Sequence, residues 1–129
     1  MPLPLECDTK RSETMQKVAL FVFNGDEMCF IHVLLNALDL KSKGEAPGIV
    51  VEGAATKLIA PLAETGHPLN RLWNKVKEAG LVEGVCKACS EKMGTREAAE
   101  QQRLRLLDDM SGHPGMAGYR KDGWGIITF

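Results

Sequence analysis

The apolar residues in the first third of the chain form one short run followed by one helical stripe. Residues 17–23 are almost continuously apolar and end at a turn over residues 24–26, which predicts a strand covered on both faces. From residue 26 to residue 43 the apolar positions recur at helical spacing, and Gly44 follows as a helix stop. The pattern predicts a buried strand and a helix wide enough to contact two neighbours.

The same alternation continues along the chain. Residues 48–52 and 81–86 predict two more strands, and between them we expect a helix bent or ended by Pro61 and a helix that begins at Pro68. Beyond Cys86, residues 96–102 suit a helix capped by Thr95, whereas residues 103–107 alternate as an edge strand does, so this stretch stays undecided.

A short helix over residues 116–121 and a last strand over residues 125–129 complete the predicted elements. Strands and helices alternate along the chain. Because right-handed crossovers between parallel strands place helices on the faces of a sheet, the alternation predicts an α/β fold with a mainly parallel sheet of four to five strands and helices on both faces.

Length and composition restrict the class of protein. The 129 residues are 44% hydrophobic and 26% charged, which is typical of one globular domain. We interpret residues 1–16 as a flexible tail and residues 17–129 as a single domain. The formal net charge of -1 gives no field that would hold a nucleic acid, and the apolar run at residues 18–23 is far shorter than a membrane span. We expect neither partner.

The chemistry expected of the cysteines depends on the cellular compartment of the protein. The first 16 residues lack the apolar segment of a secretory signal, which predicts a cytoplasmic protein. Thiols stay reduced there, so the four cysteines are better interpreted as reactive, metal-binding or buried groups than as disulfides.

Cysteines and polar side chains follow three of the predicted strands. The carboxyl ends of parallel strands meet at one edge of a sheet, where ligands usually bind, so these residues should gather there. The candidates are Asn24, Met28 and Cys29 after the first strand, Glu52 after the second, and Cys86, Lys87 and Cys89 after the third. Cys86 begins a predicted helix whose N terminus, together with Lys87, favours a thiolate. We expect Cys86 to be more acidic than a free thiol.

The spacing of Cys86 and Cys89 is compatible with three kinds of chemistry. A persulfide carrier needs one exposed thiolate, and a second cysteine can resolve the persulfide. A thioredoxin-like redox pair also uses C-x-x-C at a strand-to-helix junction, normally after an early strand. A zinc site needs two further ligands, and the sequence has no second C-x-x-C and no H-x-x-x-H. The sequence therefore predicts no metal site and no cofactor.

Each remaining candidate has a structural alternative. Cys29 fits a cysteine buried as a small apolar residue, and Cys7, in the tail, is most simply incidental. Glu52 can orient a ligand or a neighbouring subunit, or it can be a solvated carboxylate at the rim. His113, in the glycine-rich loop at residues 110–116, is typical of neither core nor surface and is kept as a candidate.

Four segments, taken in order, resemble the DsrE/DsrF-like family of small α/β proteins associated with sulfur relay: KVALFVFNGDEM, GIVVEGAATKLI, LVEGVCKACSEKMG and DGWGIITF. The similarity runs from about residue 17 to residue 129. The resemblance implies a three-layer α/β/α fold and homo-oligomers, either trimers or hexamers. Sulfur-carrying members of the family use a cysteine at the end of a strand, and the matching position here is Cys86, with Cys89 one helical turn beyond.

The sequence thus favours a cytoplasmic sulfur-relay or sulfurtransferase-like protein that holds sulfane sulfur as a persulfide on Cys86, assisted or resolved by Cys89. Sulfur donor and acceptor proteins would be its partners. The alternatives are a thiol-disulfide redox protein that uses both cysteines and a non-enzymatic oligomeric binding module whose cysteines are incidental. The main hypothesis requires the Cys86 thiol to be ionised and reachable, and a thiol sealed in an apolar interior would contradict it.

Overall fold

The structure, a computed structural model, describes residues 15–129. The proposed tail, apart from its last two residues, and Cys7 lie outside the described residues. Within residues 15–129, no helix has both the length and the apolar character that crossing a bilayer requires.

Strands and helices alternate along the described chain. The strands are β1 (Lys17–Val22), β2 (Ala46–Val51), β3 (Val82–Cys86), β4 (Leu106–Leu107) and β5 (Gly125–Thr128). The α-helices are α1 (Glu27–Ser42), α2 (Ile59–Leu62), α3 (Asn70–Glu78), α4 (Lys87–Lys92), α5 (Arg96–Gln101) and α6 (Ala117–Lys121), and a 3-10 helix covers Gly53–Leu58. Most boundaries predicted from the sequence pattern lie within two residues of those observed.

All five strands are parallel, in the order β4-β3-β2-β1-β5. The chain crosses the sheet in one direction from β1 to β4 and then returns to place β5 beside β1. Since right-handed crossovers in opposite directions put their helices on opposite faces, the sheet is covered on both sides. The fold is a three-layer α/β/α sandwich, which confirms the predicted class.

The two faces of the sheet are covered unequally. Alternation along β1 directs Leu20 into a large hydrophobic core and Phe21 into a small one on the other face. At the centre of the large core, the rings of Phe30 from α1 and Trp73 from α3 lie 6.0 Å apart. On the other face Phe21 packs edge-to-face against Tyr119 of α6, with ring centroids 5.7 Å apart. Among the described residues, the short helix α6 and side chains next to it, such as Trp124, cover the second face.

The stretch after Cys86, where the sequence pattern is ambiguous, contains both a helix and a strand. α5 begins after Thr95, although the Thr95 hydroxyl is buried without a hydrogen-bond partner and caps nothing. β4 is a two-residue edge strand that pairs Leu107 with Cys86. This pairing matters for the site, because the loop that follows β4 starts beside Cys86.

Candidate functional site

The carboxyl ends of β2, β3 and β4 bring four reactive side chains together. They are Glu52, Cys86, Cys89 and His113, and one donor atom from each lies within 4.8 Å of the other three. Glu52 directly follows β2, the cysteines lie at the junction of β3 and α4, and His113 lies in the loop after β4. The three strands are neighbours in the sheet, so the topology itself forms this four-residue cluster.

Cys86 is both the last residue of β3 and the N-cap of α4. Its Sγ accepts a hydrogen bond from the backbone N–H of Cys89 at 3.4 Å and lies 3.1 Å from Nδ1 of His113. The carbonyl oxygen of Gly112, at 3.8 Å, is placed to accept the thiol proton. Backbone groups on two sides and one imidazole thus fix the position of this sulfur.

The expectation of a reachable and acidic Cys86 is wrong for the free thiol. Cys86 is 0% exposed, whereas Cys89 is half-buried. Burial raises the pKa of the Cys86 thiol to about 12, and the neighbouring Cys89 thiol and Glu52 carboxylate act in the same direction. The N–H of Cys89 lowers the pKa of Cys86, but by less than burial raises it. The surroundings of the sulfur are nevertheless polar and not apolar.

Lys87 does not have the predicted role of keeping Cys86 ionised. Its Nζ lies 3.7 Å from Oδ2 of Asp108, in the loop after β4, so its charge is directed to that carboxylate. The adjacent N–H of Ala88 donates to the carbonyl oxygen of Gly112 at 2.9 Å. Both contacts attach α4 to the loop that contains His113.

His113 ends a tight turn. Met110 and His113 form an antiparallel bridge with backbone N···O distances of 2.7 and 2.9 Å. Gly112 inside the turn has φ +91, a left-handed conformation that glycine adopts without strain, and a Cβ there would lie 3.3 Å from Cβ of Ala88. The turn holds the imidazole against both thiols, with Nδ1 at 3.6 Å from Sγ of Cys89.

Glu52 is a buried carboxyl group, 6% exposed, and not the solvated rim carboxylate of the structural alternative. Burial raises the pKa of Glu52, while the nearby His113 imidazole and Cys86 thiol lower it by less. Buried carboxyl groups are rare unless they are paired. The position of Glu52 therefore indicates a role within the cluster.

The three candidates after β1 lie outside the cluster. Asn24 is exposed, and its side-chain oxygen accepts the N–H of Asp26 at 2.8 Å. Met28 is 77% exposed, and Cys29 is half-buried in the first turn of α1. β2 separates β1 from β3 in the sheet. The three cysteines share one edge of the sheet as predicted, but only two of them are in contact with the other reactive groups.

The sequence identifies all four residues of the cluster as candidates, but it does not show how they meet. The sequence contains no second C-x-x-C and no H-x-x-x-H, and in the structure Glu52 and His113 stand beside the two cysteines instead. The role of Gly112 in placing His113 is not among the predictions made from the sequence. The sequence does carry a signal for this turn, the segment Ser111-Gly112-His113. A Ser-Gly pair in a stretch with no clear helix or strand pattern is typical of a tight turn.

Comparison with known proteins identifies relatives in archaea. The chain is 33% identical over 117 residues to the uncharacterized protein MJ0733 of Methanocaldococcus jannaschii, a match that covers 86% of this chain and 93% of that protein. The chain belongs to the same family as MJ0733. A shorter similarity, 39% identity over 49 residues, connects this family to an uncharacterized protein of Archaeoglobus fulgidus and covers 38% of this chain and 80% of that protein. No protein-family model and no solved structure matches the chain significantly.

Proposed function

We propose that the protein transports sulfane sulfur on the pair Cys86 and Cys89, and that Cys89 is the thiol that takes the sulfur up. The proposal rests on the position of the His113 imidazole, whose Nδ1 lies 3.1 Å from Sγ of Cys86 and 3.6 Å from Sγ of Cys89. Cys89 is half-buried and Cys86 is buried, so Cys89 is the thiol that a donor reaches first. The proposal keeps the predicted pair and exchanges the roles of its two cysteines.

Uptake needs one proton transfer and one displacement. His113, in the tautomer with a free Nδ1, accepts the thiol proton of Cys89, since a base within hydrogen-bond distance of its acid is correctly placed. The Cys89 thiolate then attacks the terminal sulfur of a donor persulfide. A new S–S bond forms on Cys89, the S–S bond of the donor breaks, and the donor leaves as a thiolate that takes up the proton. No net oxidation occurs.

The sulfur can leave Cys89 in two ways. An acceptor thiolate that attacks the outer sulfur takes it as a new persulfide and returns Cys89 to the thiol. Alternatively, Cys86 attacks Sγ of Cys89, the pair becomes a disulfide, and the sulfane sulfur leaves as hydrogen sulfide. In this second route the two cysteines are oxidised, the sulfane sulfur is reduced, and an external dithiol must restore the pair. The two Sγ atoms lie within 4.8 Å of each other, so the second route needs little movement.

The assembly, compartment and partners that belong to this proposal come from the sequence. The resemblance to the DsrE/DsrF-like family, whose sulfur-carrying members use a cysteine at the end of a strand, supports a sulfur-carrying role for this pair and implies assembly into trimers or hexamers. A reducing compartment such as the cytoplasm keeps both thiols available. Sulfur donor and acceptor proteins are then the partners, and the half-buried Cys89 is the thiol of the pair that they can reach.

The position of Lys87 between the cysteines makes the proposal directly testable. Trypsin cleavage after Lys77, Lys87 and Lys92 puts Cys86 on the peptide 78–87 and Cys89 on the peptide 88–92. Reduced full-length protein is incubated with glutathione persulfide and a chelator, alkylated and digested. We expect the added sulfur on peptide 88–92 in the wild type and in Cys86→Ser, and its loss in Cys89→Ser. Cys29→Ser, a control outside the cluster, should keep the added sulfur.

Other results of the persulfide experiment would indicate a different function. Added sulfur on peptide 78–87 alone would give the carrier role to Cys86, as the sequence pattern suggests. A disulfide between Cys86 and Cys89 without any persulfide would indicate a thiol-disulfide redox protein. If neither cysteine is modified, the sulfur-carrier proposal fails and the binding module with incidental cysteines remains.

A further inference from the structure

We propose that the four-residue cluster of Glu52, Cys86, Cys89 and His113 binds one zinc ion. This site shares Cys86, Cys89 and His113 with the sulfur-carrying proposal, but it does not rest on it, because the ion can bind whether or not sulfur is ever transferred. The proposal also departs from the expectation drawn from the sequence, where the spacing of ligands predicts no metal site.

The donor set of the cluster suits zinc. It offers two thiol sulfurs, one imidazole nitrogen and one carboxylate oxygen. Zinc in proteins is bound by these three classes of donor and is usually four-coordinate. Magnesium and calcium select sites built from oxygen donors alone, so the two thiols exclude them as the preferred ion.

The distances between the donors also suit zinc. Bonds of about 2.3 Å to sulfur and about 2.0 Å to nitrogen or oxygen separate the donors of a tetrahedral zinc site by about 3.3 to 3.8 Å. Nδ1 of His113 lies 3.1 Å from one sulfur and 3.6 Å from the other. The whole set lies within 4.8 Å, which exceeds the ideal separation by about 1 Å. Small side-chain movements are therefore sufficient to close the four donors around one ion.

The Glu52 carboxyl group of the cluster is buried, and its ionised form needs a compensating charge. Glu52 is 6% exposed and Cys86 is 0% exposed. In the part of the chain that the structure describes, Glu52 forms no ion pair with a lysine or arginine. Burying a carboxylate is costly unless a partner compensates its charge. A divalent cation between Glu52 and the two sulfurs supplies this compensation.

The backbone already supports the ligands. The N–H of Cys89 donates to Sγ of Cys86 at 3.4 Å, and such a bond strengthens when the sulfur becomes a metal-bound thiolate. The turn that holds His113 is attached to α4 through the bond from the Ala88 N–H to the Gly112 carbonyl oxygen at 2.9 Å. Because these contacts fix the ligands beforehand, little order has to be gained when the ion binds.

Binding involves no electron transfer. Two thiol protons leave to water as the sulfurs bond to the ion, while the imidazole and the carboxylate donate lone pairs. The zinc-bound sulfurs are then no longer free to attack a persulfide. The zinc-bound protein and the sulfur-loaded protein are therefore alternative states of one site.

Metal binding is measured on reduced full-length protein with no sulfur donor present. Cobalt(II) is the probe, because thiolate bonds to four-coordinate cobalt give strong visible and near-ultraviolet absorption, and zinc that displaces the cobalt gives the zinc affinity. We expect one ion per chain. Glu52→Gln and His113→Ala should each lower the zinc affinity by at least about tenfold. Cys29→Ser is the matched cysteine control and should bind as the wild type does.

Two results would overturn the zinc site. One is the absence of thiolate-to-cobalt absorption in the wild type. The other is a zinc affinity in Glu52→Gln equal to that of the wild type, which would mean that the other groups bind the ion without the carboxylate. Circular dichroism checks the fold of each variant, and Glu52→Gln, which keeps the size of the side chain, decides the question if His113→Ala does not fold. Since no persulfide is present, this test can fail while the sulfur-transfer test succeeds.

Discussion

Two strand-to-helix junctions at the same edge of the sheet share one spacing and differ in their chemistry. β1 leads into α1 through Asp26-x-x-Cys29, and β3 leads into α4 through Cys86-x-x-Cys89. Asp26 and Cys86 are the N-caps, and Cys29 and Cys89 each occupy the third helical position. The second junction gathers a histidine and a buried carboxyl group around its thiols, whereas at the first junction His67 contacts the exposed carboxylate of Glu27.

The flanking strands explain this difference. β3 lies between β2 and β4, so the second junction receives Glu52 from one side and His113 from the other. β1 lies between β2 and β5, and a Cβ added at Gly25, in the turn after β1, would meet the carbonyl oxygen of Ala54 and the side chain of Lys57. The comparison shows that the spacing of a cap and a cysteine does not determine the chemistry of a junction. The neighbouring strands in the sheet do.

The caps themselves also differ. The Asp26 carboxylate accepts the N–H of Met28 at 2.8 Å and begins a helix of 16 residues. The Cys86 sulfur accepts the N–H of Cys89 at 3.4 Å and begins a helix of six residues. Sulfur is the weaker acceptor. The first junction is thus arranged for helix stability, whereas the second uses its cap to hold a reactive group in place.

The largest expected difference between the junctions is the reactivity of their thiols. In the metal-free protein, the pKa of Cys86 is raised from 9.0 to about 12, which lowers its thiolate fraction at neutral pH by about 10³-fold. Because the thiolate is the form that reacts, iodoacetamide should alkylate Cys86 at least about 10³-fold more slowly than an ordinary thiol. Because a raised pKa keeps the thiol protonated, the rate should still rise between pH 9 and pH 12. Tryptic peptides report each cysteine separately.

The control for this prediction is the same reaction in denaturant, where burial is lost and Cys86 and Cys29 should react alike. If Cys86 reacts as fast as Cys29 in the folded protein, the buried and protonated state assigned to it is wrong.

Much of the fold follows from the sequence pattern, because continuous apolar runs and helical stripes are local signals. The pattern predicts β1 and α1 within one residue of their observed bounds. It does not separate the short strand β4 from a helix, since two residues, Leu106 and Leu107, have no periodicity of their own. It is β4 that brings the His113 loop beside Cys86, so the most important contact of the site depends on the element with the weakest signal.

The state of Cys86 could not be predicted for a similar reason. The N terminus of α4 and the nearby Lys87 are visible in the sequence, and both favour a thiolate. Burial and the direction of the Lys87 side chain depend on tertiary packing, and they reverse the sign of the expected pKa shift. Local chemistry alone therefore identifies the four residues of the cluster as candidates and predicts the wrong direction for the pKa shift of Cys86.

The next largest effect should come from the turn at residues 110–113, which holds His113 at the second junction. A change in this turn should alter both stability and sulfur uptake. Gly112→Ala puts a side chain at φ +91, which costs about 1–2 kcal/mol of folding free energy, and its Cβ would lie 3.3 Å from Cβ of Ala88. We expect His113 to move away from the thiols and persulfide uptake to fall. The free energy of unfolding in urea and the uptake of sulfur from glutathione persulfide measure the two effects.

Gly44→Ala is the matched control for this turn. Gly44 has φ +87 and lies just beyond α1, and a Cβ at this position would have nothing within 4 Å of it. The variant should lose a similar amount of stability and keep full uptake. Equal uptake in the two variants would show that the Gly112 turn does not position His113.

The two N-caps should differ in their contribution to the free energy of unfolding, and this effect is smaller than that of the Gly112 turn. Asp26→Ala removes the acceptor of the Met28 N–H and should destabilise the protein by about 1 kcal/mol, while Asp26→Asn, which keeps an acceptor, should change it less. Cys86→Ser also keeps an acceptor at its N-cap and should change the free energy of unfolding less than Asp26→Ala. Urea unfolding of the three metal-free variants gives the order. A larger loss in Cys86→Ser would mean that the sulfur contributes more to stability than the carboxylate cap.

The smallest predicted effect tests how much the Glu52 charge, as opposed to burial, raises the pKa of Cys86. The Glu52 charge is the last of the causes that raise the pKa of Cys86, well behind burial. In the metal-free protein, Glu52→Gln should therefore lower the pKa of Cys86 by less than one unit and accelerate alkylation of peptide 78–87 by less than about tenfold. Glu27→Gln, which removes a carboxylate beside His67 at the first junction, should leave the rate unchanged. An acceleration beyond tenfold in Glu52→Gln would mean that the carboxylate, and not burial, keeps Cys86 protonated.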